Sequence, residues 1–468
     1  MAPASSKLAA SSTTGWTAIA VAAWVSLNSS RKRRREGRGD CALEPGLGPG
    51  GRGGTREPVR RSPRYKKAKG KAKWMFQPER TQWYLNYVEN EDLAADPSSV
   101  LGREFEDKFR IPHYMFMEIL EATRLSGKFP DETRRQRGQK AHPLSMKVMA
   151  ALRRLALGVP LDGLECMCGI SDTRLREFID LWEPWFIETY HPKWVKMPAG
   201  EMLDKAQKLF EACGLAGFVS SMDVVHLKYD RCPHGQRALY SGKEGYPTIG
   251  YQFHCGHNRE IYYHSPQGFP GGRNDKTIVR YDDFLKKMQN DPIYSNREYK
   301  LLVQPGVSET RTGVHSLCDG GYHKWNTTIC GAKHASDPDM KAFSGLCESV
   351  RKDIECLFGI LKKKFRILAV PQLEHDPSKI DRVVHICSIL HNMMLHHKGL
   401  DAVGEEEHHW SKVDAEEAKR YGLNFSELSG LSIGSMSAYN DEEQEVHDGW
   451  DAKRLGLVRH YTIALQTG

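Results

Sequence analysis

Over residues 348–368 the chain reads ESVRKDIECLFGILKKKFRIL, and this stretch constrains the fold more than any other. Ile354, Phe358, Leu361, Phe365 and Leu368 recur at helical spacing and make one apolar stripe. At ~100° per residue, from about 3.6 residues per turn, Arg351, Glu355, Lys362 and Arg366 gather on one flank of it. The expectation is a helix over 348–368 that packs its stripe on a core and carries an acid among cations at the border. A lone Glu there is ordinarily a solvated side chain. It acquires chemistry only if other acids meet it, because holding a divalent metal beside a polyanion takes several hard oxygen donors. Glu348 and Asp353 lie in the same stretch, and periodicity does not choose among the three.

Other acids do stand out upstream. Phe218–Lys228 (FVSSMDVVHLK) has the pattern of a strand, and Asp223 sits inside it, where acids are depleted. Residues 248–255 and 260–264 form a second and third strand around a hairpin at Gly256-His257-Asn258. A glycine-rich turn, GFPGGRNDKTIV (268–279), leads into a helix expected to continue through 281–288. Asp275 lies near its start, where the helix dipole favours an acid and capping explains it equally well. Two further strands follow, 299–304 and 314–318, and the second ends at Asp319-Gly320-Gly321. An acid at a strand end before Gly-Gly lies where α/β sheets bind ligands, although turns also favour Asp. Asp223, Asp319 and Glu355, on neighbouring elements, would suit Mg2+ or Mn2+ and phosphoryl transfer.

Ahead of this region the pattern is helical. After helices around Trp83 and over 105–125, residues 145–157, 161–167 and the segment from Ser171 to about 186 give two short helices, a glycine turn and a longer helix. That is the outline of a helix-turn-helix, and also of any small bundle. Ser171 is the expected cap of the third helix, with Leu175, Phe178, Ile179 and Trp182 inward and Arg174 and Arg176 outward, facing phosphates or bases.

At 468 residues the chain has room for two or three domains, with 40% hydrophobic and 27% charged residues as in globular proteins. Eleven scattered cysteines exclude a disulfide framework, and Cys166-x-Cys168 is too tight for a zinc knuckle and points to buried thiols. The net charge of +8 hides a basic first quarter. Residues 16–27 form an apolar run too short for a bilayer, which takes about 20 residues; it matches an export-signal core or part of a transit peptide. RKRRR at 31–35 is instead a nuclear address, and the basic stretch 60–73 suits non-specific phosphate neutralisation. The nucleus is the expected location, an organelle or secretion the alternative, and no membrane partner is expected. Four parts result: a disordered basic arm over 1–74, a helical region over 75–200 with its helix-turn-helix at about 145–190, an α/β domain over 201–399, and a partly disordered surface tail over 400–468, acidic at 405–407 and 441–445.

From about residue 83 to 397 the chain resembles the PIF/Harbinger transposase superfamily and its domesticated nuclease relatives. SMDVVHLKYDRCP (221–233) is similar to the family's first-Asp strand, GFPGGRNDKTIV to its glycine-rich segment, and LCDGGY (317–322) to its second-Asp segment. RKDIECLFGILKKKFRIL is similar to the helix of its final Glu, and HICSILHNMM (385–394) to its closing helix. Cys356 and Cys255 stand where the family often has Arg and Asp. The resemblance implies an α/β fold: an RNase H-like mixed-sheet core carrying a DDE triad, preceded by the all-helical helix-turn-helix region. It implies Asp223, Asp319 and Glu355 as catalytic residues and ligands of Mg2+ (or Mn2+), and it selects Glu355 over Glu348 and Asp353. Its implied partners are double-stranded DNA at transposon terminal repeats, a Myb-like DNA-binding protein and a second copy of the chain. Arg351, Lys362 and Arg366 then become neighbours for phosphate. The competing reading is a domesticated protein that keeps the fold, binds DNA or acts as a scaffold, and does not cut. A zinc hydrolase built from the 20 histidines lacks an H-E-x-x-H motif; His391, His396 and His397 are expected to cap or line a helix end.

Overall fold

The computed structural model describes residues 77–129, 142–399 and 449–467. The basic arm, the 16–27 run, the 31–35 address, the 60–73 stretch and the acidic tail segments lie outside them. Among the described residues no helix is long and apolar enough to cross a membrane.

Helices come first. Ser99 caps α1 (Val100–Phe109) by accepting the Gly102 N–H at 2.8 Å, and α2 (His113–Leu125) starts after Pro112. Phe105, Phe109 and Phe116 bury against Trp83 and Tyr87. Helix α3 (Leu144–Leu157) stops at Gly158, which adopts a left-handed φ of 66°. Short turns over Leu161–Leu164 and Glu165–Cys168 lead to α4 (Asp172–Trp194). Ser171 holds the N-cap position of α4 but makes no capping bond; Glu165 Oε1 instead accepts the Asp172 N–H at 2.9 Å. The expected inward residues of α4 are buried, and the helix runs on through Pro184 and Pro192 to Trp194 because Trp182, Trp185 and Phe186 anchor it. Of the two close cysteines, Cys168 is buried, which pushes its thiol up to about 12, but Cys166 is exposed. Buried Arg154 of α3 pairs with buried Glu183 of α4 at 2.8 Å and with Glu374 at 3.2 Å.

After α5 (Glu201–Ala212) comes the sheet. β1 (Phe218–Lys228) and β2 (Thr248–Cys255) are antiparallel, and β3 (Ile261–His264) and the short β4 (Phe269–Pro270) pair antiparallel with β2. Glycines in the 268–272 turn permit close backbone approach: a Cβ on Gly271 would lie 1.9 Å from Thr248 Oγ1. The helix expected to continue through 281–288 is broken into α6 (Asp275–Val279) and α7 (Asp283–Asn290). Asp282 causes the break. It caps α7 through the Phe284 and Leu285 N–H groups at 2.9 and 3.0 Å, and it meets buried His254 Nε2 at 2.8 Å.

β5 (Glu298–Gln304) and β6 (Val307–Thr312) form a separate hairpin. β7 (His315–Leu317) returns beside β1 in parallel, and β8 (Thr328–Ile329) adds parallel to β7, giving the mixed order β3-β2-β1-β7-β8. Helix α8 (Pro338–Lys364) starts ten residues before the expected helix and ends earlier. Phe365 leaves helical geometry and Arg366–Leu368 makes a 3-10 turn, so Phe365 and Leu368 are buried as expected but off the helix. Helix α9 (Pro377–His397) packs on α4, with Asn392 Nδ2 donating to the Trp194 carbonyl at 2.6 Å. His391 Nε2 lies 3.0 Å from the Arg259 carbonyl and His396 Nε2 2.9 Å from Glu260, as expected of residues lining a helix end. The last helix, α10 (Trp450–Thr467), is no surface appendage: Trp450 is buried and donates its indole N–H to Thr328 O on β8 at 2.8 Å.

Candidate functional site: an acidic cluster around Arg351

Asp223 lies in the middle of β1, opposite Phe253 of β2. On the other side, β1 and β7 run parallel with Ser221 level with Leu317. β7 ends at Leu317, and Asp319 follows two residues beyond that strand end. The charges of Asp223 and Asp319 interact. Burial pushes Asp223 up to about 6 and the charges of Asp275 and Asp319 add to this, while the Val224 N–H at 2.8 Å and Arg351 oppose it.

Glu355 arrives from α8 through an intermediary. Arg351, one turn earlier, places Nη2 2.9 Å from Glu355 Oε1 and 3.2 Å from Glu348 Oε2, and Nη1 3.7 Å from Asp223 Oδ2. One guanidinium thus spans the strand acid and two helix acids. Its side chain is only 13% exposed. Burial works against its charge, but Glu348, Glu355 and Asp223 outweigh that and hold its pKa above the usual guanidinium value. Asp353 is engaged elsewhere, 2.5 Å from His257 Nδ1 and 3.3 Å from Arg259 Nε. Glu348 and Glu355 both reach Arg351, so this geometry leaves both in contact with the cluster.

A fifth acid belongs to the same electrostatic field. Asn274, not Asp275, caps α6, by accepting the Thr277 N–H at 2.8 Å. Asp275 instead adds to the rise in the pKa values of Asp223 and Tyr322 and opposes the lowering of His226. Sequence reasoning had assigned it to the helix dipole or to capping. The signal for more was its place directly after a glycine-rich turn held against the sheet.

The cations are less uniform than the expected flank. Lys362 is half-buried on α8, and burial lowers its pKa. Arg366 is exposed but sits in the turn after the helix. Lys243 joins Lys362 in lowering the pKa of His226, behind burial. Arg174 and Arg176 are exposed near the start of α4, with Arg174 2.6 Å from Glu177. Chemically, the arrangement is a set of hard oxygen donors with one shared arginine and lysines close by, suited to a divalent cation and a phosphate chain.

Residues 192–401, under half of the chain, match the family described as plant transposon protein. Over 256 residues the chain is 23% identical to an Arabidopsis thaliana protein named antagonist of like heterochromatin protein 1. The alignment covers 53% of this chain and 62% of that relative, so the chain spans less than two thirds of the relative's length. No solved structure matches the chain.

Proposed function

Taking residues 192–401 as a member of the plant transposon protein family, we propose that the chain is a PIF/Harbinger-type transposase. In this reading it cuts DNA at transposon ends with water and joins the freed 3′-hydroxyl to a target, on an RNase H-like core. The observation that carries the proposal is the guanidinium of Arg351 reached by both Asp223 and Glu355, with the charge of Asp319 also felt at Asp223. The mixed strand order β3-β2-β1-β7-β8, with only β2 reversed against β1, supports the RNase H-like reading.

Asp223, Asp319 and Glu355 would hold Mg2+ (or Mn2+), and the fit is chemical. The donors are hard oxygens, and the negative charge withheld from Asp223 until about pH 6 is what a cation offsets. When bound, the metal supplies positive charge to the attacking and leaving oxygens of in-line phosphoryl transfer. Arg351 balances the acids and fixes their spacing. Lys362 and Arg366 face the phosphate chain, and Arg174 and Arg176, on a helix-turn-helix, contact duplex outside the reacting bond. Double-stranded DNA is the proposed substrate, a Myb-like protein and a second copy of the chain the proposed companions, and the nucleus the proposed location.

The test is cleavage of duplex DNA by the full chain with Mg2+ or Mn2+. Asp223→Ala, Asp319→Ala and Glu355→Ala are each expected to abolish cutting and leave DNA binding largely intact. Undiminished cutting by the Glu355→Ala protein would sink the triad. A second reading, a domesticated protein that binds without cutting, draws on the name of the Arabidopsis relative, which describes antagonism and not cleavage. Inverted repeats and a short target duplication around the coding DNA favour the mobile enzyme; their absence favours domestication.

A further inference from the structure

Three histidines far apart in sequence converge on the opposite chemistry from the acidic cluster. His191 lies in the last turn of α4, His264 ends β3, and His385 lies on α9. One ring nitrogen from each lies within 4.8 Å of the others, and ring centroids are 4.5–5.5 Å apart. His191 Nε2, His264 Nε2 and His385 Nδ1 are buried with no hydrogen-bond partner among the described residues. Such orphaned buried acceptors call for an explanation.

The protonation pattern supplies half of it. His264 Nδ1 lies 3.0 Å from the Ser265 carbonyl and His385 Nε2 3.0 Å from the Pro266 carbonyl. A carbonyl only accepts, so those nitrogens carry the hydrogens, and the orphaned nitrogens of His264 and His385 carry bare lone pairs. This is how metal-ligating histidines are oriented, with the second N–H donated to a carbonyl behind the ring. Protonation does not relieve the clash of lone pairs. Burial holds His191 down to about 4, aided by His385, and lowers His264 and His385 as well. Asp381, the carboxylate that acts on His385 among the described residues, is already taken by the Tyr251 hydroxyl at 2.7 Å and the Gly268 N–H at 2.9 Å.

We propose that His191, His264 and His385 form a structural Zn2+ site that bolts the end of α4 and the middle of α9 to edge strand β3. Three neutral imidazoles suit a borderline metal such as Zn2+, not the hard Mg2+ of the acidic cluster. Tetrahedral ligation at ~2.0–2.1 Å brings nitrogens to ~3.3 Å from one another. Small rotations of the His191 and His385 rings, both only half-buried, accomplish that closure. The site is independent of whether the acidic cluster cuts DNA.

The experiment uses the full chain, stripped with chelator, reloaded with Zn2+ and passed through gel filtration. One equivalent of Zn2+ is expected to stay with the wild type and with the Asp223→Asn, Asp319→Asn, Glu355→Gln triple variant, and to be lost from His191→Gln, His385→Gln. Added Zn2+ should raise the unfolding midpoint of the first two proteins only. X-ray absorption of the zinc-loaded wild type reads the ligands directly, even if the histidine variant folds poorly, and three imidazoles are expected. No retained zinc, equal retention by a folded histidine variant, or an absorption spectrum without imidazole scattering would overturn the site.

Discussion

Replacing Asp223 by Asn should stabilise the metal-free protein at pH 8. With a folded-state pKa of about 6 against the usual 3.8, the native chain keeps a proton on Asp223 over a range where the unfolded chain has lost it. The stability tied to that proton is complete below pH 3.8 and is lost as pH rises through 6. Integrating the two titrations gives a penalty of ~0.5 kcal/mol at pH 4 and ~3 kcal/mol at pH 8. The side chain is still 24% exposed, and screening reduces the second figure to about 1.5–3 kcal/mol. Asn removes the penalty at similar volume, and Arg351 keeps Glu355 and Glu348 at 2.9 and 3.2 Å. Urea unfolding in chelator, followed by tryptophan fluorescence, should show the variant ahead by about 1.5–3 kcal/mol at pH 8 and by under ~0.5 kcal/mol at pH 4. Saturating Mn2+ should stabilise the wild type and leave the variant unmoved. An Asn protein less stable at pH 8, or an advantage equal at both pH values, would refute the reasoning.

Other substitutions probe other parts. Arg174→Ala with Arg176→Ala should weaken duplex binding and flatten log K against log salt by up to ~1.8, which a salt titration measures; an unchanged slope makes α4 a packing helix. Arg154→Ala leaves buried Glu183 without its 2.8 Å partner and should cost about 3–5 kcal/mol in urea unfolding. Trp450→Ala should cost about 3–5 kcal/mol by the same assay, and a loss below ~1 kcal/mol would put α10 outside the core.

Local signals were legible and distant pairings were not. β1 and β2 have the bounds their sequences imply, because β-branched and aromatic runs end where polar turns begin. Asp319 stood out by its strand end and Gly-Gly. The break at Asp282 was hidden because its partner, His254, lies on another element, and two caps on Asp282 outweigh continuous helical periodicity. The dipole and capping both account locally for Asp275, and nothing in the sequence reveals that its charge acts on Asp223. The end of α8 at Lys364 was missed because Phe365 and Leu368 stay buried across the change of geometry, so the apolar spacing persists while the helix does not. Trp450 carries no motif, and His191, His264 and His385 have no ligand-like spacing; both become visible only when the sheet edges are assembled.

The parallel pairing of β1 with β7 has an evolutionary consequence. Backbone hydrogen bonding holds Ser221 level with Leu317, so side-chain drift elsewhere in the sheet leaves the strands that carry Asp223 and lead to Asp319 in place. On the proposed function, cutting is lost by striking a handful of carboxylates, while the scaffold is expected to survive such hits and at Asp223 to gain stability. A lineage of such a protein would shed its chemistry in a single substitution and pass on an intact scaffold for a new task.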